Sequence, residues 1–164
     1  MNTYKLSSMA KLDTTDHRLL HLLQHNAKVT NAYLAQKTGL SLTAVFKRVR
    51  KLESNGFIKY YYAHVDQEKA GLGTPFFVQI SLSSNSREST ETFLARIGEL
   101  DEVVECHHTT GLSDFLLKIV TRDLHSFQAL VTGEISKFDN ISRLKSIIVL
   151  SVMKYSRMVP LPMH

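Results

Sequence analysis

The stretch from Thr30 to Gly56 leaves the chain few choices, because it carries the punctuation of two short helices around a sharp turn. Thr30 is suited to cap a first helix over Asn31 to Thr38, with Leu34 and the small Ala35 facing inward. Gly39 supplies a tight left-handed turn, and Leu40 fills the angle between the helices. Ser41 is placed to cap the second helix, where Val45, Val49 and Leu52 recur at helical spacing as a buried stripe. Thr43, Ala44, Lys47, Arg50 and Lys51 are then left pointing outward, and Arg48 completes a run of four cations within five positions. An ordinary helical hairpin with a solvated basic face is the plain alternative, but turn, cap and basic run arrive together. In a helix-turn-helix the start of the second helix enters the major groove of DNA. Thr43, Ala44 and Lys47 are therefore the candidates for base edges, Arg48, Arg50 and Lys51 for phosphates, with Ser41 at the helix start on the same surface.

Charge is distributed unevenly. The formal net charge is +5, yet residues 1–66 hold ten Lys or Arg against four Asp or Glu, a net of +6. The remainder holds ten cations and eleven anions, a net of −1. A basic module joined to a near-neutral one predicts that the first meets a polyanion and the second has a different task. Binding by phosphate neutralisation falls with salt, by about 0.9 logarithmic units per phosphate contacted. A hydrophobic fraction of 43% argues against disorder. No apolar run approaches the ~18 residues of a spanning helix, and the first dozen residues lack a signal-peptide core. Cys106 is the single cysteine, which excludes an internal disulfide and fits a reducing cytoplasm.

The expected organisation is a polar tail over residues 1–11, a helix-turn-helix domain over 12–64, a linker over 65–74, a second domain over 75–157 and a tail over 158–164. Asp13 starts a supporting helix, with Asp16 placed to complete a capping box. From Phe57 to Val65 the pattern alternates, which predicts a strand and hence a winged reader or a connecting strand, with Tyr60, Tyr61 and Tyr62 packing on the helices in preference to touching DNA backbone. Gly71, Gly73 and Pro75 mark the boundary. Beyond it the pattern predicts a strand over Phe76 to Ser83, a helix from about Arg87 to Leu100, and strands over Val103 to Thr110 and Phe115 to Thr121. A helix capped by Asp123 and a last strand from Leu144 to Lys154 complete it. The order strand–helix–strand, strand–helix–strand reads as a ferredoxin-like α+β sandwich. The last strand is apolar on both sides, with Ile148, Leu150 and Val152 on one and Ile147, Val149 and Met153 on the other. A solvated sheet face should alternate cleanly, so the open face is expected to lie against another subunit.

Taken together, Leu12-Asp13 with Asp16, Gly39-Leu40-Ser41, Arg48-Val49 with Lys51-Leu52-Glu53, Gly56-Phe57-Ile58 and the hairpin Thr110-Gly111-Leu112-Ser113-Asp114-Phe115-Leu116-Leu117 resemble the Lrp/AsnC, or feast/famine, transcription regulators of bacteria and archaea. The hairpin is similar to the family's Gly-x-x-Asp signature, and the resemblance spans roughly residues 12 to 157. It implies a DNA reader joined to a ligand-sensing domain, in dimers that assemble into tetramers, octamers or higher discs, and a cytoplasmic protein associated with the nucleoid. It implies an amino-acid effector near the hairpin and no other cofactor. Gly111 permits positive φ and leaves N–H groups accessible to an α-carboxylate. Asp114 offers a carboxylate to an α-ammonium. Leu112 and Ser113 are expected to line the pocket, with Val149 as a further wall. Ser113 stands where many members carry an aromatic residue, and Lys28 where many carry arginine.

Three rival readings frame the expectation. Cys106-His107-His108 invites a metal, but on a strand only Cys106 and His108 share a face, and a closed site needs about four ligands. Some chains resembling this family decarboxylate tetrapyrroles with pocket histidines, yet such an enzyme has no use for the basic helix. An architectural protein that wraps DNA without effector control differs in relying on phosphate contacts alone. The expected mechanism is a population shift, in which ligand and DNA each favour one assembly by differential affinity.

Overall fold

The computed structural model describes residues 11–162, so the expected N-terminal tail lies outside the described residues except for Lys11. Two compact units follow from the chain contacts: one runs to Ala63 and takes in the segment from Ser156, and the other spans His64–Tyr155.

In the first unit, α1 (Thr14–His25) begins with the expected capping box. The Asp16 N–H donates to Asp13 Oδ1 at 2.8 Å and the Asp13 N–H to Asp16 Oδ2 at 3.2 Å. In α2 (Asn31–Thr38) the Thr30 hydroxyl accepts the Tyr33 N–H, and Gly39 closes the helix at φ 71°. In α3 (Leu42–Ser54) Ser41 accepts the Ala44 N–H at 3.2 Å. Leu19, Leu20, Leu34, Val45 and Leu52 form the core, with Leu40, Val49 and Ile58 packed around it. The segment from Ser156 returns to this unit. Its Val159 N–H donates to Gln24 Oε1 at 2.6 Å, and Leu161 packs against the core.

The segment after Gly56 is not the expected strand: Lys59 to Asp66 carries no regular structure. Alternation makes a segment able to pair, but a strand exists only through a ladder, and none of the described residues pairs with this one. Ile58 does enter the core, and Tyr61 reaches α3 through its hydroxyl bond to Glu53, whereas Tyr60 and Tyr62 are exposed.

The second unit follows β1 (Phe76–Leu82), α4 (Arg87–Ile97), β2 (Val103–His108), β3 (Phe115–Ile119), α5 (Leu124–Gly133) and β4 (Ile141–Ile148). The four strands form an antiparallel sheet in the order β2-β3-β1-β4. That order belongs to the ferredoxin-like sandwich. Phe93 and Ile97 of α4, with Phe127 and Leu130 of α5, cover Phe76, Val78, Ile80, Phe115, Leu117 and Ile119, so both helices lie on one face.

The last strand starts three residues earlier than expected and stops at Ile148. Ile148 pairs with Phe76, and the position before Phe76 is Pro75, which has no N–H to extend the ladder. Val149, Leu150, Val152 and Met153 therefore lie beyond the sheet, and only Ile147 and Ile148 keep the expected two-sided pattern. The face away from the helices carries Phe77, Leu116 and Ile147 among Gln79, Lys118 and Glu105.

Candidate functional site

Thr43, Lys47, Arg50 and Lys51 are exposed along α3, and Ala44 is half-buried. Among the described residues none of Lys47, Arg50 and Lys51 has an ion-pair partner. The Ser41 hydroxyl is engaged in capping. The Phe46 side chain is also outside the core, with the Arg50 guanidinium 5.3 Å from its ring centroid.

Arg48 departs from the expected phosphate contact. Its Nη1 lies 2.6 Å from Asp13 Oδ2 and 2.7 Å from Asp16 Oδ1. Bonds to these two carboxylates raise its pKa further, while the Asp16 N–H first and then Arg48 hold Asp13 below the usual carboxylate range. Arg48 thus ties α3 to the capping box of α1. The signal for this was in the sequence: a capping box uses one oxygen of each acid and leaves the others open to a cation.

The hairpin between β2 and β3 contains the four expected effector residues in sequence. Gly111 adopts φ 114°, a region that side chains rarely occupy, and a Cβ there would meet nothing within 4 Å. Among the described residues the N–H groups of Gly111, Leu112 and Ser113 donate to nothing. Leu112 is 91% exposed, so it walls no pocket within a single chain. The Ser113 carbonyl accepts the Thr109 hydroxyl at 2.8 Å.

Asp114 has a structural task of its own. The Asp114 N–H donates to Ile80 O at 2.9 Å, and Asp114 Oδ2 accepts the Leu82 N–H at 2.8 Å. Its carboxylate stands in for a ladder partner just before the start of β3. One oxygen is thereby committed, and no described group bonds the other.

Val149 is not brought to this site. It follows Ile148, which pairs with Phe76, whereas the hairpin bonds β1 at Ile80 and Leu82. At about 3.3 Å per residue the two ends of β1 are roughly 20 Å apart. Within one chain Val149 cannot line a pocket with Asp114.

On β2, Cys106 and His108 pair with Leu117 and Phe115 and so lie toward the helices, while Glu105 and His107 lie on the open face. Cys106 is exposed on this edge strand, although desolvation of the sulfur raises its pKa. His108 stacks on Phe115 at 5.0 Å. His107 lies 3.0 Å from Glu105, whose other oxygen takes the Lys118 ammonium at 2.8 Å. Among the described residues no three His, Cys, Asp or Glu side chains cluster as metal ligands.

The comparisons with known proteins agree with this architecture. A winged helix-turn-helix DNA-binding profile matches residues 12–59, and the Lrp/AsnC ligand binding domain matches residues 76–159. The chain is 36% identical over 152 residues to the glutamate uptake regulatory protein of Zymomonas mobilis, covering 93% of this chain and 92% of that one. It is 30% identical over 145 residues to the leucine-responsive regulatory protein of Salmonella typhimurium, covering 88% of each. A Neisseria meningitidis transcriptional regulator solved in complex with L-Met superposes with a TM-score of 0.87 at 29% identity, over 92% of this chain and 97% of that one. An AsnC family regulator from Agrobacterium tumefaciens gives 0.86 at 32%, over 91% and 97%. With a winged helix-turn-helix profile matched ahead of the sensor domain, at these identities and over nearly its full length, the chain belongs to the Lrp/AsnC family of DNA-binding transcriptional regulators.

Proposed function

We propose that the protein regulates transcription in the cytoplasm by reading an operator through α3 and sensing an amino acid at the Gly111–Asp114 hairpin. One observation carries the reading: the cations of α3 other than Arg48 are exposed and without ion-pair partners among the described residues. Thr43, Ala44 and Lys47 meet base edges, while Arg50 and Lys51 meet phosphates. Arg48 acts indirectly, by fixing the angle of α3. At the hairpin, three successive free N–H groups suit an α-carboxylate, and the second oxygen of Asp114 suits an α-ammonium. The L-Met held by the Neisseria relative supports an amino acid as the effector class. Because Leu112 is open on a single chain, the pocket is completed where copies meet, in a dimer that assembles to a tetramer or octamer.

Exposed Thr43 at the start of α3 favours an operator reader over an architectural wrapper. His107 and His108 lie on opposite faces of β2, so they form no common pocket for a tetrapyrrole. Purified protein turning over a tetrapyrrole, seen in the Soret band, would overturn the regulator reading.

The test is a thermal-shift screen against the twenty amino acids, run beside Asp114→Asn. Asparagine keeps an acceptor for the Leu82 N–H and removes the charge. A hundredfold excess of ligand over its Kd stabilises by about 2.7 kcal/mol. A shift in the wild type that disappears in Asp114→Asn supports the site; one that survives unchanged moves the effector elsewhere.

A further inference from the structure

Beyond the effector hairpin, the reader unit contains a cavity of about 380 Å³ beside Arg50. Leu23, Val29, Leu34 and Val49 line it together with Arg50 and Glu53. Arg50 and Glu53 are three residues apart on α3, so they are neighbours on its surface, with about 5–6 Å between their Cβ atoms. Opposite charges so placed ordinarily pair. Here they do not: among the described residues neither has an ion-pair partner. Each leans on a different aromatic ring instead. The Arg50 guanidinium lies over Phe46 at 5.3 Å, and Glu53 Oε1 accepts the Tyr61 hydroxyl at 2.9 Å. Desolvation first, and then the Glu53 carboxylate, push the Tyr61 hydroxyl up to about 12, which keeps it a donor to Glu53.

We infer that this cavity is a second small-molecule site, built for an apolar α-amino acid held as its zwitterion between Arg50 and Glu53. The carboxylate bonds the guanidinium, the ammonium bonds Glu53, and the side chain meets the apolar lining. Both polar contacts are charge-assisted, and neither group has to give up an existing ion pair. The site has a built-in consequence. Arg50 cannot serve a ligand carboxylate and a DNA phosphate together, so occupancy weakens DNA binding from within the reader, without passing through the hairpin.

The experiment follows the methyl signals of Leu23, Val29, Leu34 and Val49 by NMR in the full chain, beside those of Leu82 and Leu112 in the sensor. The probes are leucine, isocaproate, which lacks the ammonium, and isoamylamine, which lacks the carboxylate. Leucine should shift the reader methyls, and each single-charge analogue should bind about tenfold more weakly, the loss expected for one charged hydrogen bond. Ala27 also lines the cavity and is exposed, so Ala27→Phe should fill the cavity from its mouth. In that variant the reader shifts should vanish while the sensor shifts and DNA affinity persist. Leucine moving only the sensor methyls would overturn the second site and leave the hairpin reading intact. Shifts confined to the reader would sustain it and count against the hairpin. Equal binding of all three probes, or reader shifts that survive Ala27→Phe, would also overturn it.

Discussion

Single residues show how one charge can serve structure in one place and recognition in another. Arg48 and Lys47 are adjacent cations on α3, yet Arg48 spans two carboxylates of α1 while Lys47 is free among the described residues. Arg48→Ala should lower unfolding free energy by about 1 kcal/mol, the upper range for partly exposed pairs, measurable as a lower Tm by circular dichroism. Lys47→Ala should leave Tm unchanged, weaken DNA binding and relax preference at the base it reads, in fluorescence anisotropy on operator and substituted duplexes. The reverse assignment of the two phenotypes would remove Arg48 from its structural role. The Lys118–Glu105 pair makes a pH prediction of definite sign. Lys118 first, with His107, lowers the Glu105 pKa below its usual 4.5, despite opposing desolvation. A depressed folded pKa stabilises the protein above the unfolded value, and that contribution is lost as pH falls through the folded one. Glu105→Gln should therefore melt below the wild type at neutral pH, and the two should converge as pH falls through the lowered folded pKa of Glu105 in a pH series of melting curves.

At the scale of elements, what the sequence made legible depended on whether a signal was local. Caps and turns are local, so Asp13, Thr30, Gly39, Ser41 and Asp123 all do what their residue types and spacing predict. Gly39→Ala should test the most constrained of them. No atom obstructs a Cβ there, so the expected loss of about 1 kcal/mol is the cost of φ 71° alone. Denaturant unfolding should show that loss, with DNA affinity kept under conditions where the variant remains folded. Strand bounds were less legible because pairing is non-local. The alternating segment after Gly56 finds no ladder, and β4 ends where Pro75 ends its neighbour's donors. Val149 shows the same lesson at the site: its type suits a pocket wall, but register sends it to the far end of β1. The pairing of Arg48 is non-local in the same way, since its partners lie more than thirty residues away.

For the whole molecule, the open sheet face is where the proposed assembly is tested. Phe77 and Ile147 pair across β1 and β4 on that face, with Leu116 on β3 alongside. Apolar side chains at the centre of an otherwise polar face are the composition of an interface core rather than of a surface in water. A dimer formed there would carry two α3 helices, and successive major-groove turns lie about 34–36 Å apart. Ile147 is 38% exposed, so a glutamate there should be tolerated by the fold and rejected by a partner face, because the charge would be buried unpaired. Ile147→Glu should reduce the mass seen by light scattering to the 18.6 kDa chain while far-ultraviolet circular dichroism is unchanged. Leu150→Glu, placed beyond the sheet and 92% exposed, should retain the oligomer. On a duplex with two half-sites, the Ile147→Glu protein should bind no more tightly than on one half-site, because the gain from a second site requires both readers in one particle. An oligomer that survives Ile147→Glu would place the contact on another surface, and the two-site advantage should then survive with it.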